Sequence, residues 1–524
     1  MAYSKTPEGD THSVKRIPGV GSPFVVPNFS DFIPQTLNYY NCFPIKEKQF
    51  GQEAKFSVEK REPYKIHVSG TTAATTTASF SRWVIHPYPT ALAFVARGGS
   101  YWYFDPDVGT FTAVGAYVNA VMTGVCTVYS SAGESRIVAI SGTTVNSWLA
   151  DGSGFTTDAI ATFIVGQYGL VSLNGYIFGV SDTGAIYNST AGGVYATWAT
   201  TDYIVPEIDT DGIINIKKHY NSLVVLGRES IEFFQDGAVE IGSPLVRMEQ
   251  YYSRIGCAQS SDGYRSSCTI DNDIYFLGKS RDKSMFLARI RDFKVETLGS
   301  DSLEKIINSP MTTAATSYHS IITWTVNNHP MVMIRFMSAA GVSTSIMYDP
   351  EADSWWTIDT SDIGGTYDSD TGADNFVGIQ FYKTTDAGSL DTGRHPYFLT
   401  SPTQRTTTTV EVRKADSQWT TSNTATVWTD VIDMDVDRWK HVYKISAVGD
   451  YRGNTLTLSY CNNPTYDAFT TMTPTKVQST LGARNQLTWT NAGQFRQFAL
   501  KLDMAGAYPA KHTGFEIAYN LKMQ

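Results

Sequence analysis

DGIINIKKHYNSLVVLGRESIEFFQDG, residues 211–237, decides the fold. Ser222–Gly227 is an apolar, β-branched run, the polar pair Arg228-Glu229 interrupts it, and Ser230–Phe234 resumes it and ends on two aromatics. Such a pattern reads as strand, tight turn, strand. Variants recur at GYIFGVSDTGAIYNST (175–190), NDIYFLGKSRDKSMFLARI (272–290) and PMVMIRFMSAAGVSTSIMYDPEADSWWTI (330–358). Earlier, SYWYFDPDVGTFTAV (100–114) and SRIVAISGTTVNSWLADG (135–152) alternate about turns at Asp105–Gly109 and Gly142. A hairpin repeated every few tens of residues marks four-stranded propeller blades, and the stretch from Ser79 to about residue 380 has room for about five to seven of them.

Composition agrees with short strands. Aromatics make up 13% and charged residues only 17% of 524 residues, which suits half-buried strands joined by small-residue turns. No 18-residue apolar run occurs, so no membrane span is expected. The N-terminal residues MAYSKTPEGDTHSVKR lack the apolar core of a signal peptide, which points to synthesis in a cytosol. Cys42, Cys126, Cys257, Cys268 and Cys461 are odd in number and scattered, so they read as free thiols in apolar surroundings.

Outside the blades the texture changes. Residues 1–70 read as an N-terminal arm and docking segment, and Gly70–Ala78 is low-complexity. Residues 71–380 carry the propeller rhythm. Residues 381–524 show longer alternating strands of the size and pattern of a β-sandwich-like domain. The chain is therefore expected to be all-β: a propeller, a C-terminal sandwich-like domain and an extended N-terminal segment. In that last region Trp428, Trp439 and Trp489 read as core or inter-strand contacts. The best helix signal is DSLEKIINSP (301–310), with a capping-box pair Asp301 and Glu304, an apolar face of Leu303, Ile306 and Ile307, and Pro310 as its end.

The net charge of −9 is unevenly spread. Residues 1–66 carry +2, residues 376–524 carry +3, and residues 67–375 carry −14. Between Gly98 and Ile216, Arg136 is the single basic residue against ten acids. Proteins grip nucleic acid by neutralising phosphates with Lys and Arg, which this segment cannot do. It would repel a duplex or let it slide past.

Motifs for chemistry fail on their own terms. Leu277-Gly278-Lys279-Ser280 resembles the end of a phosphate-binding loop, but Asp273 stands where the motif needs glycine and a strand runs directly into Gly278. Asp368, Asp370 and Asp374 alternate like a calcium loop and are the metal candidates, although the glycine sits one place late and no terminal Glu follows. Val180-Ser181-Asp182-Thr183-Gly184-Ala185-Ile186-Tyr187 comes near a sialidase Asp-box with valine in place of its serine. No GxSxG or HExxH occurs, and the nine histidines are isolated. No catalytic residue and no cofactor is assigned, and the chain is expected not to be an enzyme.

With these residues in view, the chain resembles the tail-nozzle proteins of short-tailed bacteriophages, also called packaged-DNA stabilisation proteins or tail accessory factors. NYYNCFPI (38–45) resembles their N-terminal segment, and DGIINIKKHYNSLVVLGRESIEFF (211–234) their central motif. SRIGCAQSSDGYRSSCTIDNDIYFLG (253–278), SLEKIINS (302–309), GQFRQFALKLDMAG and TGFEIAYN follow in the same order. The resemblance is collinear over roughly residues 30–524, with no counterpart for 115–200 and 360–376. It implies a homohexameric ring below the portal and adaptor rings, in the virion's short tail. The ring would close the tail channel on packaged DNA and pass the double strand on ejection without sequence-specific binding. It would also dock tail spikes or fibres and a tail tip. Six copies would carry roughly −54 charge, a wall over which a duplex should slide. The aromatic content and the near Asp-box leave a second reading open: a carbohydrate-binding or depolymerising receptor-recognition propeller of the tail.

Overall fold

The computed structural model describes residues 39–47, 55–62, 64–71 and, apart from short segments between elements, 122–359 and 409–521. Elsewhere it describes only strand segments at 4–5, 11–18, 83–85, 93–97, 100–105, 110–116, 367–368, 373–374, 380–383 and 395–400. Among these residues the chain is almost entirely strand, with one helix.

Seven meandering four-strand units follow one another, and we number them as blades. Blade 1 is Trp83–Ile85, Ala93–Arg97, Ser100–Asp105 and Thr110–Ala116. Blade 2 is Met122–Tyr129, Ser135–Ser141, Thr144–Leu149 and Thr156–Ala159. Blade 3 is Val165–Leu173, Tyr176–Ser181, Ile186–Thr190 and Val194–Ile204. Blade 4 is Ile213–His219, Ser222–Gly227, Ile231–Asp236 and Leu245–Ser253. Blade 5 is Ser267–Ile270, Asp273–Lys279, Met285–Arg291 and Lys294–Leu298, with Gly256–Cys257 also paired to its second strand. Blade 6 is Tyr318–Val326, His329–Met337, Ser343–Asp349 and Ser354–Ile358. Blade 7 takes Gln380–Lys383, His395–Thr400 and Thr409–Ala415 from late in the chain and completes itself with Tyr64–Thr71. Strands from both sides of the boundaries expected at 70 and 380 thus share one sheet. Because Tyr64–Thr71 directly precedes blade 1, this pairing ties the last blade to the first.

The opening hairpin shows why the strands are apolar without a break. Every residue of Ser222–Gly227 is buried. Leu223 and Val225 pack with Phe178, Val180 and Ile186 of blade 3. Val224 and Leu226 point the other way, onto Phe276, Phe286 and Ile290 of blade 5. The period of two is present, but both faces are interior, which corrects the half-buried expectation. Sheets covered on both faces read as continuous apolar runs, and each such side chain contributes about 1.5–3 kcal/mol by burial.

The helix spans Asp301–Thr312 and runs past Pro310. A proline's φ is itself helical, so the helix continues for two more residues although Pro310 removes one i→i−4 hydrogen bond. Leu303, Ile306 and Ile307 fill the gap between blades 5 and 6. Asn308 extends the edge of blade 5: its Oδ1 accepts the Met285 N–H (3.0 Å) and its Nδ2 donates to the Met285 carbonyl (2.9 Å).

Blade 6 does not end at its fourth strand. Ser354–Ile358 pairs in parallel with Tyr39–Tyr40, which pairs with Asn423–Trp428, followed by Ala499–Gly506 and Thr455–Cys461. A second sheet sets Lys440–Asp450 between Gln486–Phe495 and Lys511–Leu521, and Thr11–Pro18 pairs along the other edge of Lys511–Leu521. These two sheets enclose one core, with Val442, Ile445, Phe515 and Ile517 on one side and Leu456, Leu458, Leu500 and Leu502 on the other. The core runs on into blade 6 through Trp324, Met333 and Trp356. Trp489 is buried, its indole N–H donating to the Pro474 carbonyl at 3.1 Å. Trp428 lies under the Lys501 ammonium. Trp439 departs from expectation: it precedes the strand Lys440–Asp450 and stays half exposed. No helix among the described residues is long and apolar enough to cross a membrane.

Candidate functional site

The seam between blades 4 and 5 is built on the motif that announced the fold. The Asp211 carboxylate accepts the Glu229 N–H and the Ser230 hydroxyl. The Arg228 N–H donates to the Gly212 carbonyl at 3.1 Å. Asp211-Gly212 and Gly227–Ser230 thereby lock one turn from both ends. Gly256 lies against that turn so closely that a Cβ would sit 1.9 Å from the Arg228 carbonyl oxygen. At the other end of the blade, buried His219 bridges to blade 5, with Nδ1 2.6 Å from the Asn272 carbonyl and Nε2 accepting the Phe293 N–H at 3.4 Å. This hydrogen-bond pattern uses the neutral ring.

The first strands of successive blades stand side by side around the propeller axis. A Cβ on Gly124 would meet the Leu170 nitrogen at 2.6 Å, and one on Gly169 would meet Asn215 Oδ1 at 2.7 Å. Asn215 Nδ2 donates to Ser267 Oγ (3.0 Å), and Thr323 donates to the Thr269 carbonyl (3.1 Å). None of the seven first strands contains Asp or Glu; their charged residues are Lys217, Lys218 and Lys383. Burial lowers the Lys217 amine from its usual range. The acids of the 98–216 segment lie elsewhere. Glu134 precedes the second strand of blade 2 and Asp182 sits on a turn of blade 3, while Asp158 and Asp202 lie on outer strands. Asp105 ends a strand, and Asp107, Asp151, Glu207 and Asp209 lie outside the described residues.

A second constellation joins the N-terminal segment to the rest of the chain. Asn41, in a left-handed backbone conformation (φ 54°), donates to the Thr424 carbonyl (2.9 Å) and accepts the Asp359 N–H (2.8 Å). Buried Arg61 donates to Asn41 Oδ1 (2.9 Å), the Glu62 carbonyl (3.0 Å) and the Asp359 carbonyl (3.1 Å). Buried Lys60 donates to Asn454 Oδ1 and the Gly506 carbonyl, both at 2.8 Å, and lies over the Trp419 ring. Burial first, then the neighbouring Arg61 charge, brings the Lys60 amine down to about 7.

This carries a pH consequence. The unfolded chain keeps Lys60 protonated up to its ordinary range, whereas the folded chain releases the proton from about pH 7. Between those limits the unfolded state binds more protons, so stability rises with pH. The unfolding midpoint is expected to increase from pH 7 to pH 9.5, and Lys60→Met should flatten that rise. An unchanged slope in the variant would exclude Lys60 as its source.

Asp368 and Asp374 lie on the paired strands Tyr367–Asp368 and Ala373–Asp374, and Asp370 lies outside the described residues. Among the described residues no group of three or more His, Cys, Asp or Glu is placed to hold a metal. Leu277-Gly278-Lys279 is strand, with the Phe286 ring over Gly278. The near Asp-box is a turn in which Ser181 Oγ accepts the Ala185 N–H at 3.0 Å. All five cysteines are free, and burial pushes the Cys126 and Cys268 thiols up to about 12. His319 and His512 are buried, held down to about 4 and about 3 by desolvation.

A family model described as bacteriophage P22 Gp10, β-propeller, matches residues 98–369, just over half of the chain. A comparison with curated proteins finds no match. Among solved structures, the N-terminal domain of Nup159 aligns with a TM-score of 0.40 and 10% identity, over 67% of this chain and 95% of that one. The Neurospora crassa Pan2 WD40 domain aligns with a TM-score of 0.40 and 6% identity, over 68% and 97%.

Proposed function

Because the chain belongs to the bacteriophage P22 Gp10 β-propeller family, and so is a phage tail structural protein of the packaged-DNA stabilisation type, we propose that it forms the tail nozzle. In this reading six copies ring the tail axis below the portal and adaptor. The ring closes the channel on packaged DNA, passes the duplex on ejection and docks spikes or fibres and a tail tip. The protein is made in the host cytoplasm and works in the virion.

The observation that supports this most is where the charge sits. The described acids of blades 2 and 3, Glu134, Asp158, Asp182 and Asp202, lie on turns and outer strands, while the strands around the propeller axis carry none. Those strands are also in backbone contact from blade 2 to blade 3. A duplex is therefore expected to pass outside the individual propeller, along an axis shared by several copies. Acidic outer surfaces facing that axis would repel phosphate and leave it mobile. The expected result in a low-resolution map of purified tails is six propellers around the axis. A single copy away from the axis would overturn the proposal.

A further inference from the structure

Large exposed apolar side chains gather at the outer rim of blades 3 and 4. Ile241 is 88% exposed, and Val239, Val246, Tyr203 and Val205 are each more than two-fifths exposed. Tyr203 belongs to the outer strand of blade 3 and Val246 to that of blade 4. The connecting loop is tied down: the Gly237 N–H donates to the Pro244 carbonyl at 2.8 Å. It also reaches across to blade 3, where a Cβ on Gly242 would lie 4.0 Å from the Thr201 carbonyl. Ile241 is thus presented on an anchored loop. Asp202 and exposed Glu249 flank the patch. Single exposed apolar residues are ordinary, but a gathered and anchored set marks an interaction site.

Its occupant follows from the charge of the chain. The region 67–375 carries −14, and residues 376–524 carry +3. A ring is built by a heterologous contact, which needs two different and complementary faces on the same chain. The positive region offers an exposed pair: Trp439, 50% exposed, and Arg496, exposed just beyond the end of Gln486–Phe495. The two lie at adjoining strand ends, since Lys440 pairs with Phe495 in the sheet and Lys440 Nζ donates to the Arg496 carbonyl at 3.0 Å. Trp and Arg are the residue types that most often anchor interfaces. We infer that the blade 3–4 rim around Ile241 of one copy docks onto the Trp439–Arg496 face of the next. This rests on the proposed ring and assigns its subunit contact.

Full-length Ile241→Asp and Trp439→Asp test it by light-scattering mass, with thermal melts as a folding control. Both side chains are exposed, so both variants should melt like the wild type. If either melts early, Ile241→Ser or Trp439→Ser replaces it. The wild type is expected as a ring and each variant as a monomer, about a sixfold loss of mass for a six-membered closed ring. Mixing the two variants should give dimers and no ring, because only one intact pair of faces remains. A ring retained by either variant would overturn the inference while leaving the nozzle reading intact, and would point to another partner for the rim. Monomers in the mixture would show that these two faces do not meet. A monomeric wild type would overturn the ring reading and this inference together.

Discussion

Gly256→Ala is expected to destabilise the propeller by about 3 kcal/mol or more, the range of severe overpacking. The added methyl would lie 1.9 Å from the Arg228 carbonyl oxygen and 2.5 Å from Glu229 Cα. Neither atom can retreat cheaply. The Arg228 N–H is bonded to Gly212 at 3.1 Å, and the Glu229 N–H is bonded to the Asp211 carboxylate. Moving the turn would break the hairpin closure of blade 4 and part the seam with blade 5. Gly184→Ala is the control. That glycine has φ +85° with nothing within 4 Å of a Cβ, so it should cost only the backbone term of about 1–2 kcal/mol. Denaturant midpoints of both variants check the contrast. Equal midpoints would mean that the Gly256 contact does not constrain the seam.

Arg61→Met should cost about 2–4 kcal/mol and loosen the N-terminal segment. The guanidinium donates hydrogen bonds inside the protein to Asn41 Oδ1 and to the carbonyls of Glu62 and Asp359. Bonds from a charged donor contribute about 1.5–3 kcal/mol each, and relief of the buried charge offsets part of their loss. Arg61→Lys should recover less than half of the loss, because a single ammonium cannot reproduce the planar fork. Limited proteolysis supplies the second readout, with cleavage within residues 39–62 becoming faster in Arg61→Met. A variant as stable and as protected as the wild type would show that Asn41 and the paired strands suffice to hold the segment.

Much of the propeller was legible because blades are local. Each is a run of consecutive hairpins, so apolar alternation, turn residues and spacing all lie within a few tens of residues. Ser222–Phe234 shows this, its strands and turn lying where the residue pattern placed them. The full burial of those strands was less visible, because a period of two looks the same whether one face or both are covered. The helix end at Thr312 was missed because proline loses one hydrogen bond but keeps a helical φ, and the buried face of Leu303, Ile306 and Ile307 outweighs that loss. Trp439 was misread because an aromatic next to a strand resembles a core residue until its neighbours are known.

The junction around Lys60 and Arg61 had no sequence signal. A basic pair after a strand usually lies in water, yet these two are buried because their partners arrive from residues 359, 454 and 506. The ten acids of residues 98–216 were countable from composition, but the outward placement of Glu134, Asp158, Asp182 and Asp202 was not.

The amino-acid sequence by itself determined the all-β class, the blade repeat and the excess of acid in the middle of the chain, because hairpins and charge are properties of neighbouring residues. Only the tertiary structure decided how the repeat closes, with Tyr64–Thr71 completing the blade formed by residues 380–415. It alone decided that blade 6 shares a core with the C-terminal sheets and that the strands side by side around the propeller axis are ones without Asp or Glu. These outcomes depend on contacts between residues hundreds of positions apart, where loop closure and burial act and local pattern carries no information.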